Sequence, residues 1–192
     1  MVEYAVKPGR LKQTIVLIGL MGAGKSSVGL RLAQRLGVSF HDSDAEIEAA
    51  AGMRIAEIFE RFGEPHFRDG ERRVISRLLE RPPMVLATGG GAFLNEETRA
   101  LITRCAVSVW LKAELPVLVA RTSGRTHRPL LNQGNPEEVL AALIEARYPV
   151  YALADIAVES LMEQTHDDMA ARIEAAIVEH SRVTGREILS QG

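Results

Sequence analysis

The chain has 192 residues, 46% apolar and 25% charged, with 23 basic against 25 acidic side chains and a net charge of −2. That length suits one domain burying roughly 70% of its unfolded surface without disulfides or structural metal, and the composition excludes disordered, collagen-like and fibrous classes. There is no polybasic run, no apolar stretch beyond about half a membrane span, no signal-peptide pattern and one cysteine, Cys105; no nucleic-acid or membrane partner is expected, and a reducing cytoplasm is the expected setting.

Thr14 to Ile18 is an apolar run ending at Gly19, the pattern of a strand buried on both faces. Leu30, Leu32, Ala33 and Leu36 then mark a helix that Gly37 can cap. Val38 to Phe40 reads as a second strand, and Ala45 to Ala51 as a helix stopped by Gly52. Ile55, Ile58, Phe59 and Phe62 share a helix face closed by Gly63, and Pro65 suits the first turn of a helix running to about Glu80. Met84 to Ala87 is a strand leading into Thr88-Gly-Gly-Gly91. Asn95 can cap a helix whose first turn is Glu96-Glu97. Ala106 to Leu111 is a strand and 114–121 a helix. Residues 122–136 hold two glycines, two prolines and Arg125, His127 and Arg128, which predicts an exposed, mobile loop. A helix over 137–147, a strand over 155–159 and a helix over 165–180 complete the pattern, with 181–192 expected to fray.

Strands alternating with helices predict an α/β domain with a mainly parallel sheet covered on both faces, and ligands beyond the carboxyl ends of its strands. The candidate motifs lie there. Gly19-Leu-Met-Gly-Ala-Gly-Lys-Ser26 matches G-x-x-x-x-G-K-[ST] between a strand and a helix, the loop whose N–H groups cradle nucleotide phosphates. Lys25 can reach the β- and γ-phosphates, and the Ser26 hydroxyl can ligate Mg²⁺. In His41-Asp-Ser-Asp44, one carboxylate can hold a metal through water while the other takes a hydroxyl proton; the alternative is helix capping, with Asp42 or Ser43 as N-cap and Asp44 and Glu46 in the first turn. Arg68 and Glu71 stand at i, i+3, as a surface ion pair or with Arg68 turned to a substrate carboxylate. Three glycines at 89–91 imply close approach by another group. Arg147 is either a helix-end cation or a second carboxylate clamp. The five histidines lack metal-ligand spacing.

Taken together, GLMGAGKS, D-S-D, G-E-x-x-F-R-x-x-E, TGGGA, R-P-L-L and an arginine before Y-P-x-Y, in that order from about Ile15 to the last helix, resemble the shikimate kinases. The resemblance implies a P-loop kinase-like three-layer fold, with a five-stranded parallel sheet, helices on both faces and a mobile lid. It implies one domain over 1–192: an extension at about 1–13, a shikimate-binding segment at 41–80, the lid at 122–136 and a tail at 181–192. The implied activity is ATP-dependent phosphorylation of the shikimate 3-hydroxyl, for aromatic amino acid synthesis, by a monomer using Mg²⁺. By position, Gly22, Ala23, Gly24, Lys25, Ser26, Ser27, Arg128 and Gln164 would bind ATP. Ser26, and Asp42 through water, would serve the metal. Asp44, Arg68, Gly90 and Arg147 would bind shikimate. Lys25, Asp44 and Arg128 would carry catalysis, with Arg121 assisting. Rival readings are another small-molecule P-loop kinase, such as a gluconate kinase, and a non-catalytic sensor domain of the same fold.

Overall fold

The computed structural model describes residues 11–123 and 135–190. Five parallel strands, β1 (Thr14–Ile18), β2 (Phe40–Asp42), β3 (Val85–Ala87), β4 (Ala106–Lys112) and β5 (Ile156–Glu159), form one sheet in the order β2-β3-β1-β4-β5. The helices are α1 (Lys25–Leu36), α2 (Ser43–Ala51), α3 (Ile55–Leu79), α4 (Glu96–Cys105), α5 (Leu115–Thr122), α6 (Pro136–Tyr151) and α7 (His166–Thr184), with a 3-10 turn at Ala92–Leu94. Every residue of β1 and β3 is buried, as a sheet covered by helices on both faces requires. Among the described residues no helix is long and apolar enough to cross a membrane.

Local signals explain most boundaries. Gly37 and Gly52 end α1 and α2 in the left-handed conformation, at φ 65° in both cases. The Asn95 side chain accepts from Thr98 N–H to cap α4, and Thr165 and Asp168 form a capping box on α7. Gly63, at φ 79° and ψ 170°, breaks α3 just before Pro65, so the two helices expected there meet across a kink.

Five expectations need correction. β2 starts at Phe40 rather than Val38, because Val38 N–H is spent on Ala33 O, closing the end of α1. His41 and Asp42 therefore lie within the strand, paired with Leu86 and Ala87 of β3, rather than after it. The 122–136 segment begins and ends in helix: Thr122 closes α5 with its hydroxyl donated to Leu118 O at 2.7 Å, and Pro136 opens α6. Helix α6 runs four residues past 147, to Tyr151, because Tyr148 and Tyr151 pack on Trp110. The described part of the tail does not fray. Helix α7 continues to Thr184, Ile188 is fully buried, and Leu189 bridges Leu11. Arg186 ties this end to Asp155, Gln13 and Ala106 O.

Candidate active site

Each functional segment follows a strand. After β1, the loop Gly19–Gly24 turns into α1. Gly22 and Gly24 have φ of 83° and 96°, values that side-chain-bearing residues rarely adopt. Gly24 caps α1 without a side-chain hydrogen bond, and the first turn holds no acidic residue, so the helix N-terminus presents its N–H groups and positive end to an anion. Lys25 Nζ lies 2.8 Å from Gly19 O and 3.1 Å from Leu20 O, folded along the same loop. Ser26 donates its hydroxyl to Asp42 Oδ2 at 2.7 Å, joining the P-loop to the end of β2. Asp42 uses both of its oxygens: Oδ1 accepts from Asp44 N–H at 3.0 Å to cap α2, while Oδ2 accepts from the Ser26 hydroxyl. No cluster of three or more His, Cys, Asp or Glu suited to a metal occurs among the described residues. A hydroxyl and one carboxylate beside a phosphate loop do fit a hard cation that takes its other ligands from phosphates and water.

The triple glycine after β3 is where the second half of the site converges. A Cβ on Gly89 would lie 2.7 Å from Asp44 Oδ1 and 3.0 Å from Glu71 Oε1. One on Gly90 would lie 3.3 Å from Arg147 Nη1, and one on Gly91 2.5 Å from Arg68 Nη1. Three successive glycines therefore make room for four charged groups. Arg68 is held by Glu71 at 2.7 Å and by Glu64 at 3.1 Å. Glu71 is 2% exposed, and both its Oε1 and Asp44 Oδ1 are buried without a hydrogen-bond partner. Buried polar atoms of this kind call for a ligand or water.

Burial, and then the neighbouring Asp42 carboxylate, push the pKa of Asp44 up, against the pull of Lys25 and Arg68. A raised pKa suits a carboxylate that is to receive a proton from a hydroxyl. Burial also raises Glu71, with Arg68 opposing. Across the glycines, Tyr151 donates its hydroxyl to Gly90 O, and burial pushes its pKa up against the pull of the nearby Arg147 guanidinium.

On the nucleotide side, Arg121 donates to Ser160 Oγ at 2.8 Å and to Leu161 O at 2.7 Å, and Ser160 Oγ contacts Ala23 O at 3.3 Å. Arg121 thus lies against the P-loop. Gln164 does not join it in the described hydrogen bonds; its Oε1 accepts from Arg172 at 3.2 Å. Arg125, His127 and Arg128 lie outside the described residues. The structure thus brings Lys25, Ser26 and Asp42 into one cluster, and Asp44, Arg68, Gly90 and Arg147 into a second beside it. The Arg68–Glu71 pair expected from the i, i+3 spacing is present, but Glu71 is buried rather than at the surface. Sequence reasoning missed the parts played by Ser43 and Tyr151; the available signal was Tyr151 one turn after Arg147.

The family model "Shikimate kinase" matches residues 21–178. The chain belongs to the shikimate kinase family. A shikimate kinase of Paramagnetospirillum magneticum is 63% identical over 155 residues, 81% of this chain and 80% of that protein. One from Caulobacter vibrioides is 63% identical over 148 residues, covering 77% and 74% of the two chains. Among solved structures, the shikimate kinase of Acinetobacter baumannii in complex with shikimate superposes with a TM-score of 0.83 at 39% identity, over 87% of this chain and 93% of that one. The fold expected of the family, a five-stranded parallel sheet flanked by helices, is the fold observed.

Proposed function

We propose that this chain transfers the γ-phosphoryl group of ATP to the 3-hydroxyl of shikimate, yielding 3-phosphoshikimate and ADP for aromatic amino acid synthesis. The observation that carries the reading is the convergence of Asp44, Arg68 and Arg147 on Gly89–Gly91, beside a P-loop. A phosphate loop alone serves any nucleotide enzyme. Two arginines and a carboxylate at one glycine surface match a small substrate that is anionic at one end and hydroxylated at the other. The relative solved with shikimate, at 39% identity, supports that substrate.

In this reading the α1 N-terminus and the loop Gly22–Ser27 hold the phosphates, and Lys25 neutralises charge on the β- and γ-oxygens. Ser26, and Asp42 through water, are the residues that would hold Mg²⁺, which when bound draws negative charge from the transferring group. Arg68 and Arg147 grip the shikimate carboxylate and Gly90 supplies a backbone contact. Asp44 orients the 3-hydroxyl for in-line attack and accepts its proton as the bond from Pγ to the β–γ bridging oxygen breaks. Arg128, from the segment 122–136 assigned as a lid, would bring its guanidinium to the phosphoryl group; Arg121 assists from the P-loop side, with Gln164 toward the adenine. The accompanying proposals are a single domain over 1–192 and a monomer working in the cytoplasm.

The test is ADP release by the full chain with ATP and Mg²⁺, with shikimate, with gluconate and with neither. Release that depends on shikimate is the expected result. Equal release with gluconate, or release indifferent to both, overturns the assignment.

A further inference from the structure

We propose that Ser43 and Tyr151 are positioning residues that pin the triple-glycine segment from two separate elements and so set the gap between Asp44 and Arg147. This inference rests on the shikimate kinase reading above.

Residues 89–91 have no side chains with which to anchor themselves, and glycine loses more backbone freedom on ordering than any other residue. Their place must come from backbone hydrogen bonds. Two of these are local: Ala92 N–H to Gly89 O and Leu94 N–H to Gly91 O, both at 3.1 Å, shape the 3-10 turn without locating it. The upstream end is tied to β1, where Thr88 donates its N–H and its hydroxyl to Leu17 O. Within the glycines themselves, two bonds reach distant chain. Gly89 N–H donates to Ser43 Oγ at 3.1 Å, and Tyr151 donates its hydroxyl to Gly90 O. Both residues are fully buried, at 0% exposure, so neither hydroxyl is open to bulk solvent as an alternative partner.

Each pin is attached to a group assigned to the substrate. Ser43 precedes Asp44 at the start of α2, and Gly89 faces Asp44 Oδ1. Tyr151 ends α6 one turn after Arg147, and both face Gly90, where a Cβ would lie 3.3 Å from Arg147 Nη1 and 3.6 Å from the Tyr151 hydroxyl. A shift of the glycine backbone would therefore change the spacing of the two groups that hold opposite ends of the substrate. The described hydrogen bonds of Ser43 and Tyr151 go to the glycine segment and not to Ser26, and Gly90 approaches the P-loop at Gly19 O, from which a Cβ would lie 3.4 Å, so the larger effect should fall on shikimate.

Ser43→Ala and Tyr151→Phe each delete one oxygen. The phenyl ring keeps its packing on Trp110 and Tyr148. KM for shikimate, KM for ATP, and ADP affinity by calorimetry would be measured on the full chain and both variants. The expected result is a tenfold or greater rise in KM for shikimate in each variant, with KM for ATP and ADP affinity within twofold of the unaltered protein. Shikimate KM within twofold in both variants overturns the proposal. So does a parallel loss of ATP or ADP binding, which marks general structural support rather than positioning. If the unaltered chain itself shows no shikimate-dependent ADP release, the functional reading fails, and that outcome is distinct from either.

Discussion

Gly91→Ala separates space from backbone conformation at the substrate site. Gly91 has φ −93° and ψ −16°, which alanine adopts without strain, so the substitution adds a methyl group and little else. That methyl would lie 2.5 Å from Arg68 Nη1 and 2.6 Å from Cζ, the centre of the guanidinium rather than a flexible tip. Arg68 cannot stay where it is. It is braced on its other sides by Glu71 at 2.7 Å and Glu64 at 3.1 Å, so it must swing as a whole and its fork loses its aim. A charge-assisted bond to a substrate carboxylate is worth about 1.5–3 kcal/mol. Losing it should weaken shikimate binding roughly 10- to 150-fold. The three atoms nearest that methyl all belong to Arg68 and none to the P-loop, so ADP affinity should hold. Calorimetric titration with shikimate and with ADP reads both, and thermal melting checks that the variant is folded. A folded Gly91→Ala protein with unchanged shikimate affinity would refute the placement of Arg68 on the substrate.

Other substitutions probe the remaining parts. Lys25→Ala removes a phosphate contact and a neutralising charge together; steady-state assays should find kcat/KM down by on the order of 10³, about 4 kcal/mol of transition-state stabilisation. Arg147→Ala should cost shikimate affinity about 1.5–3 kcal/mol in a titration, and Arg147→Lys should recover only part of it, lacking the bidentate fork. Arg128→Ala should lower kcat more than it changes shikimate affinity, since the guanidinium acts as charge moves in transfer; equal effects on both in a kinetic comparison would count against that role. Ile188→Ala should lower stability to urea by about 2–5 kcal/mol, because Ile188 is fully buried; an unchanged midpoint would mean that the tail contributes nothing to the core.

The elements of this protein whose signals are local were legible in its sequence. The run Thr14–Ile18 is buried because every position is apolar or small enough for a strand covered on both faces. The ends of α1, α2 and α4 follow from Gly37, Gly52 and Asn95, whose backbone freedom or side-chain acceptor acts within a few residues. The phosphate loop was equally readable, since strand, glycines, lysine and helix N-terminus are contiguous. What depended on distant chain was not. Val38 reads as strand, yet its N–H goes to the helix behind it, and the register with β3 starts at Phe40. The tail reads as loose, yet Ile188 is buried and Arg186 reaches Gln13 and Ala106. The three glycines announced a close approach but not by what. Only the fold brings Asp44 and Glu71, Arg147, and Arg68 to successive glycines from three different helices. Residues 44, 89 and 147 are far apart in sequence, and no propensity or period acting within one turn records which side chains parallel strands will carry to the same end of a sheet.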